Sequence, residues 1–229
     1  MTWITLKRKL RNSKYRQLGI PSLFIVGGGF AILFLIGLFV LNYNNYRETN
    51  AGYSYSDLKD RYPVIEDIET YDFMNHTLFD GDSILTDSME FMKLNCFSLK
   101  HSSDLKSFIN SISDSLLSSS DKKFMRNQLT DEVYLWDNER LINAWCLIPS
   151  DFAKINRSDT TDYWEEFRAN FGKYGHHHYS RPIFNQDKNI CVIEHSGQGD
   201  WLMGSGDILL FKKVNGNWRL LKEENLWIS

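Results

Sequence analysis

Cysteine is scarce in this sequence, and the three cysteines lie far apart. Three in 229 residues exclude the disulfide-dense class, and the absence of a C-x-x-C pair argues against a zinc ribbon or a dithiol redox site. Cys96, Cys146 and Cys191 could form one disulfide and leave one thiol, or Cys191 could be a reduced core residue. With 42% apolar and 24% charged residues, the composition also excludes collagen-like and disordered chains and fits one folded domain with an additional segment.

Acidic residues are absent from the first 41 positions. The cations of this segment are Lys7, Arg8, Lys9, Arg11, Lys14 and Arg16. The remaining positions hold 20 of the 26 cations and all 29 acids, so the main part of the chain is acidic. Because phosphate binding needs clustered Lys and Arg, we predict that nucleic acid is not a partner.

Charge of either sign is absent from residues 17–46, which contain an apolar run over residues 20–41. A helix crosses the roughly 30 Å hydrocarbon core of a bilayer with about 20 residues, so this run has the required length. Tyr43 and Tyr46 lie where an interfacial aromatic belt is expected. We predict a transmembrane helix over residues 18–43 that contacts the lipid bilayer through residues 20–41. A buried core helix, the alternative, would seldom stay uncharged over this length.

A cleaved signal peptide is another interpretation of a basic start followed by an apolar run. A cleavable apolar region is typically about 7–15 residues long and ends at small residues, whereas this one is longer and ends in Leu41-Asn42-Tyr43. The cations precede the run, which predicts a cytoplasmic N-terminus. We expect a single-pass signal anchor in the cell membrane, with a basic cytoplasmic tail over residues 1–17. A tether over residues 44–60 and an extracytoplasmic domain over residues 61–229 would follow the span.

Helical periodicity is clearest over residues 102–117. Serine and aspartate favour a helix start because their side chains accept a hydrogen bond from a free backbone N–H. We predict that Ser102 or Ser103 caps this helix and that Asp121 caps a second, short helix ending at Leu129. The apolar stripe of the first helix consists of Leu105, Phe108, Ile109, Ile112 and Leu116.

A third helix is predicted over residues 160–171, with Thr160 or Thr161 as its cap. Two strands are predicted between the second and third helices, at residues 132–136 and 141–148. The buried face of the third helix would carry Trp164, Phe167 and Phe171.

The C-terminal end is the clearest β region. Residues 190–196 start with consecutive apolar side chains, as expected for a strand covered on both faces. Asn215-Gly216 separates the apolar runs 207–214 and 218–224, which indicates a hairpin because both central residues of a type I′ turn need positive φ. Helices and strands in segregated runs predict an α+β fold after the transmembrane helix, with an antiparallel sheet packed with a few helices.

Five short motifs follow one another in the C-terminal part of the chain. They are W-E-E-F at residues 164–167, S-R-P-I-F-N at 180–185, L-M-G-S-G at 202–206, G-N-W at 216–218 and the terminal W-I-S. Their order and spacing resemble a family of uncharacterised bacterial domains with the pattern W-x-x-F, S-R-x-x-F-N, G-x-L-x-G-x-G, G-x-W and W-I-S. The resemblance covers residues 160–229 well and 85–160 loosely. It implies a secreted or membrane-attached bacterial domain and supplies no mechanism.

The histidine run at residues 176–178 is a candidate metal site. On a strand, His176 and His178 would share one face, with His195 as a third ligand from a neighbouring strand. The alternative is an exposed polar loop after Gly175. Since a zinc site needs three or four converging ligands, we expect the loop, no metal and no cofactor.

Glu194, His195 and Asp200 are the candidate catalytic residues. They lie where a strand enters the glycine-rich loop Gly197–Gly206, and they could act as general acid and base if a cleft brought them together. No nucleophile elbow or other hydrolase signature accompanies them.

Arg181 and Asn185 are the candidate binding residues. They bracket Pro182, which fixes a turn or a strand edge. Arg181 could bind a carboxylate of a ligand, although an internal partner such as Glu165 or Glu166 is the favoured interpretation.

These observations favour a membrane-anchored extracytoplasmic domain that acts as a binding or envelope-interaction module, with an envelope protein as the candidate partner. The alternative is a membrane-tethered enzyme with a site near Glu194, His195 and the loop Gly197–Gly206. A structural subunit that acts through its span is a third class. A pocket in which these polar residues converge would favour the enzyme, and a filled interior with a flat aromatic or acidic face would favour the binding module.

Overall fold

The computed structural model of the chain describes residues 52–79, 90–155 and 162–229. The predicted cytoplasmic tail, the predicted transmembrane helix and residues 44–51 of the predicted tether lie outside these residues. Across the three described ranges, no helix combines the length and the apolar character that a bilayer span requires.

The helices are short. Their bounds are α1 Tyr55–Lys59, α2 Ile68–Phe73 with a π-helical turn at Met74–Leu78, α3 Ser103–Ser111, α4 Ser119–Arg126, a 3-10 turn at Asn138–Arg140, α5 Pro149–Ala153 and α6 Tyr163–Phe171. Helix α1 lies in the segment that we predicted as tether. Its Leu58 is fully buried, and the Tyr55 hydroxyl donates to the Trp136 carbonyl, so folded structure begins before residue 61.

The helix caps only partly follow the predictions. Ser102 caps α3 as expected, with its Oγ accepting from the Leu105 N–H at 3.0 Å, and the helix ends at Ser111, earlier than predicted. Helix α4 is capped by Ser118 instead of Asp121, and α6 by Asp162 where Thr160 or Thr161 was expected. In both cases the cap is the residue directly before the first helical turn, where extended backbone lets its side chain reach a free N–H.

Within the described residues, seven strands form one sheet. They are β1 Met92–Asn95, β2 Ala144–Leu147, β3 His176–Tyr179, β4 Ile183–Phe184, β5 Ile190–Asp200, β6 Met203–Val214 and β7 Asn217–Ile228. The order is β2-β1-β3-β5-β6-β7, and β4 pairs with β5. The α+β class is confirmed, but the sheet is mixed rather than antiparallel because β1 runs parallel to both β2 and β3. The strand predicted at residues 132–136 is reduced to isolated bridges at Leu135.

The β6–β7 hairpin turns at Asn215-Gly216 as predicted, with φ of 53° and 87°. In the part of the chain that the structure describes, β7 pairs only with β6 and forms an edge of the sheet.

Both faces of the sheet are covered near its centre. On one face, α3 and α4 pack on a cluster that includes Ile190, Val192 and Ile208, while Trp164, Phe167 and Phe171 of α6 form a second cluster with Leu147 and Phe152. On the other face, Phe73 of α2 makes edge-to-face contacts with Phe211 and Trp218. All three cysteines are buried and unpaired.

Candidate functional site

Glu194 and His195 do not share a site. They are consecutive residues of β5, and successive side chains of a strand point to opposite faces. Glu194 lies opposite Ile208 of β6, on the face covered by α3, whereas His195 lies opposite Tyr179 and Asp207 on the other face. The sheet itself therefore separates the two residues that we predicted as an acid–base pair.

Glu194 is buried at the start of α3. Its carboxylate accepts a hydrogen bond from the Ser102 N–H at 3.1 Å and another from the Ser102 hydroxyl. Burial raises the pKa of Glu194, although the two Ser102 hydrogen bonds act in the opposite direction. Because the carboxylate is committed to the N-terminus of α3, its role in the fold is to cap that helix.

A chain of polar side chains crosses three strands on the other face. His177 Nδ1 lies 2.9 Å from His195 Nε2, and His195 Nδ1 lies 3.6 Å from Asp207 Oδ2. Asp207 also accepts from the Ser205 hydroxyl at 3.0 Å and from the Asn225 amide at 2.8 Å. We call His177, His195 and Asp207 the histidine relay.

The relay orients the two imidazoles through one hydrogen bond between the rings and a longer electrostatic contact with Asp207. Asp207 favours the His195 tautomer with its proton on Nδ1, so that Nε2 accepts from His177 Nδ1 and leaves His177 Nε2 as a base. Burial lowers the pKa of His177 to about 4, with His195 adding to the effect. Burial also lowers the pKa of His195, while Asp207 opposes that change.

The relay does not form a metal site of the usual kind. Its two facing nitrogens could bind one ion, but a zinc site needs three or four ligands. Nowhere in the described ranges do three or more His, Cys, Asp or Glu side chains converge in a way that could hold a metal ion.

His176 and His178, the other two histidines of the run, lie on the face of the sheet that α3 and α6 cover. They belong to strand β3 and not to the loop that we expected. His176 packs among the rings of Phe152, Trp164 and Phe167. Burial lowers the pKa of His176 and that of His178 to about 4. His195 faces His177 instead of these two, so the predicted set of His176, His178 and His195 is not assembled.

Arg181, Asn185 and Asp200 each have internal partners. The Arg181 guanidinium donates to the Gln128 carbonyl at 3.1 Å and lies over the Tyr134 ring, so neither predicted glutamate pairs with it. Asn185 is buried and its Oδ1 accepts from the N–H groups of Asn189 and Ile190, which closes the turn before β5. Asp200 forms a half-exposed ion pair with Arg168 at 3.5 Å.

An open cleft of about 530 Å³ lies between the start of α3 and the end of α4. Its lining includes Lys106 and Arg126, with Asp131 on the same wall. His101 lines it too, but both ring nitrogens are occupied, by the Thr130 N–H and the Arg181 carbonyl. The cleft contains none of the predicted catalytic, binding or metal-ligating residues, and its charges are of both signs.

The end of the sheet exposes a group of large apolar side chains. At the β5–β6 turn these are Trp201, Leu202 and Met203, and beside them at the end of β7 are Trp227 and Ile228; each is between 45% and 83% exposed. The two parts are contiguous because Ile228 pairs with Ser205, and the Trp227 ring covers Gly204 and Gly206. We call these five residues the end patch.

No protein family, curated protein or solved structure matches the chain. The resemblance to bacterial secreted or membrane-attached domains therefore stays a prediction. His177, Asp207 and the end patch were missed from sequence. Strand alternation would have put His177 and His195 together only if the register of β3 on β5 had been known.

Proposed function

We propose that the chain is a single-pass membrane protein with a cytoplasmic N-terminus, and that its α+β domain acts outside the membrane as a binding module. The observation that carries this proposal is the uncharged apolar run over residues 20–41, preceded by six cations and by no acid. Arg47 is the only cation directly after the run, so Lys and Arg are concentrated on the side that we propose to be cytoplasmic.

The arrangement of polar groups supports binding over catalysis. The predicted catalytic residues do not meet: Glu194 and His195 lie on opposite faces of the sheet, and Asp200 is in a half-exposed ion pair. Each of the three already has a partner within the domain. In contrast, the end patch leaves five large apolar side chains in contact with solvent. Soluble monomers rarely expose large contiguous apolar surfaces, and surfaces of this kind usually mark interaction sites.

A membrane-tethered enzyme stays the second candidate because of the histidine relay. A base at His177 Nε2, oriented through His195 by Asp207, is an arrangement that hydrolytic sites use. This candidate requires an accessible substrate pocket beside His177. If the chain hydrolyses a substrate at this site, His177→Ala in the full chain should abolish the hydrolysis. His176→Ala, on the other face of the sheet, should retain it.

The topology can be tested in cells that express the full chain with a C-terminal tag. We expect the protein to stay in the membrane pellet after alkaline carbonate extraction and the tag to be digested by protease added to intact cells. The matched variant replaces the six N-terminal Lys and Arg with Gln, and it should lose the uniform orientation. A tag that is digested only after lysis would contradict the orientation, and soluble chains beginning near Asn42 would contradict the anchor.

A further inference from the structure

We infer that the end patch docks onto a lipid bilayer, so that the domain lies against the membrane that anchors it. This inference rests on the proposed function, since it takes the apolar run as the anchor. It adds a second point of membrane contact, formed by the described part of the chain, and identifies a lipid surface as the ligand of the domain.

The composition of the end patch is typical of a membrane interface. Its two tryptophans combine an apolar ring with a polar N–H, and the Trp201 N–H donates to Asp162 at 3.2 Å, which fixes the ring at the patch margin. The nearest charges are at its margin, where Asp162 accepts from Trp201 and Asp200 is paired with Arg168. Tyr174 adds another exposed aromatic ring near the patch, with Lys173 over that ring. Both residues lie beside the β5–β6 turn because the next residue, Gly175, packs closely on Gly199.

The rest of β7 is unsuited to pairing with another strand, which argues against a second copy of the chain as the occupant. The central part of β7 carries Arg219, Lys222, Glu223 and Glu224, and the β6–β7 ladder is interrupted by two register shifts. Charges and bulges on an edge strand are the features that prevent edge-to-edge association. Leu220 and Leu221 are half-exposed in this central part, but charged residues flank them on both sides, whereas the last residues of β7 are uncharged.

The length of the chain outside the described structure supports a lipid occupant. Ten residues, 42–51, separate the end of the apolar run from the first described residue. Fully extended, they span at most about 36 Å. A domain held this close to a bilayer meets it at a high effective concentration, which favours docking by a small patch.

Single-cysteine labelling of the full chain tests the inference. The three native cysteines are buried, so a nitroxide added to the folded protein labels an introduced Leu202→Cys selectively, with the unsubstituted chain as the blank. Ile68→Cys is the matched control, because Ile68 is an apolar residue of similar exposure, 79%, at the start of α2 and outside the patch. Both proteins are reconstituted in phosphatidylcholine vesicles, and electron paramagnetic resonance measures the accessibility of each label to oxygen and to a water-soluble nickel complex.

We expect the ratio of oxygen to nickel accessibility to be at least threefold higher at position 202 than at position 68. Adding Trp201→Ser, Met203→Ser and Ile228→Ser to the Leu202→Cys chain should bring the ratio back to the control value. Equal ratios at the two positions would overturn the inference. A label at 202 that is shielded from both reagents would also overturn it, because a protein partner or a second copy would then cover the patch.

Flotation of the same vesicles separates this inference from the proposed function. If the chain floats with the vesicles but the label at 202 stays aqueous, the anchor stands and the docking fails. If the chain does not float, the anchor fails and the inference fails with it.

Discussion

Among single residues, the buried carboxyl group of Glu194 makes the stability of the domain depend on pH. Burial raises the pKa of Glu194 above its ordinary value of 4.5, so the folded state holds the proton more tightly than the unfolded chain does. The stabilisation that results is present below pH 4.5 and is lost as the pH rises through the raised pKa. At neutral pH the ionised carboxylate is tolerated because Ser102 supplies two hydrogen bonds.

We predict that Glu194→Gln flattens this part of the pH profile. Glutamine keeps an acceptor for the Ser102 N–H and removes the buried charge, so its free energy of unfolding at pH 7 should exceed that of the wild type by about 1 kcal/mol. Urea unfolding of the full chain in detergent between pH 4 and pH 7 measures the difference. Glu223→Gln on the exposed strand β7 is the control, and parallel profiles for wild type and Glu194→Gln would refute the prediction.

At the scale of elements, the β6–β7 hairpin depends on its turn. Gly216 has a φ of 87°, which an L-residue adopts only with strain, whereas a Cβ at that position meets no atom within 4 Å. Gly216→Ala should therefore destabilise the domain through backbone strain alone, by about 1 kcal/mol. Gly199→Ala is the control, since Gly199 has open space and no positive φ, and it should change stability by less than about 0.5 kcal/mol. The same urea measurement compares the two, and equal effects would contradict the explanation.

The elements that could be predicted from sequence are those determined by local physics. The Asn215-Gly216 turn, the buried aromatic face of α6 and the part of the predicted stripe that lies in α3 each follow from residues that are close together in sequence. The placement of β1 between β2 and β3 depends on pairings across long stretches of chain, and no periodicity encodes it. The prediction of the candidate metal site was wrong for the same reason. A one-residue change in the register of β3 on β5 decides whether His195 shares a sheet face with His177 or with His176 and His178.

For the whole molecule, the balance of buried titratable groups sets the response to acid. Five buried or half-buried histidines have a lowered pKa: His101, His176, His177, His178 and His195. Each binds its proton more tightly in the unfolded chain, so the stability present above pH 6.5 is lost as the pH falls through the folded-state value, about 4 for the three histidines of β3. Glu194 acts in the opposite direction but is one group against five, and we therefore expect net destabilisation between pH 6.5 and pH 4.

His176→Phe should remove the part of this response that His176 contributes. The ring of His176 is surrounded by Phe152, Trp164 and Phe167, so phenylalanine fits the same contacts and cannot take up a proton. One fewer histidine should reduce the slope of unfolding free energy against pH by as much as about 1 kcal/mol per pH unit within this window. Urea unfolding of the full chain at half-unit intervals measures the slope, with the exposed His76→Phe as the control. If His176→Phe unfolds in acid as steeply as the wild type does, proton uptake by the buried histidines is not what limits the stability of the domain at low pH.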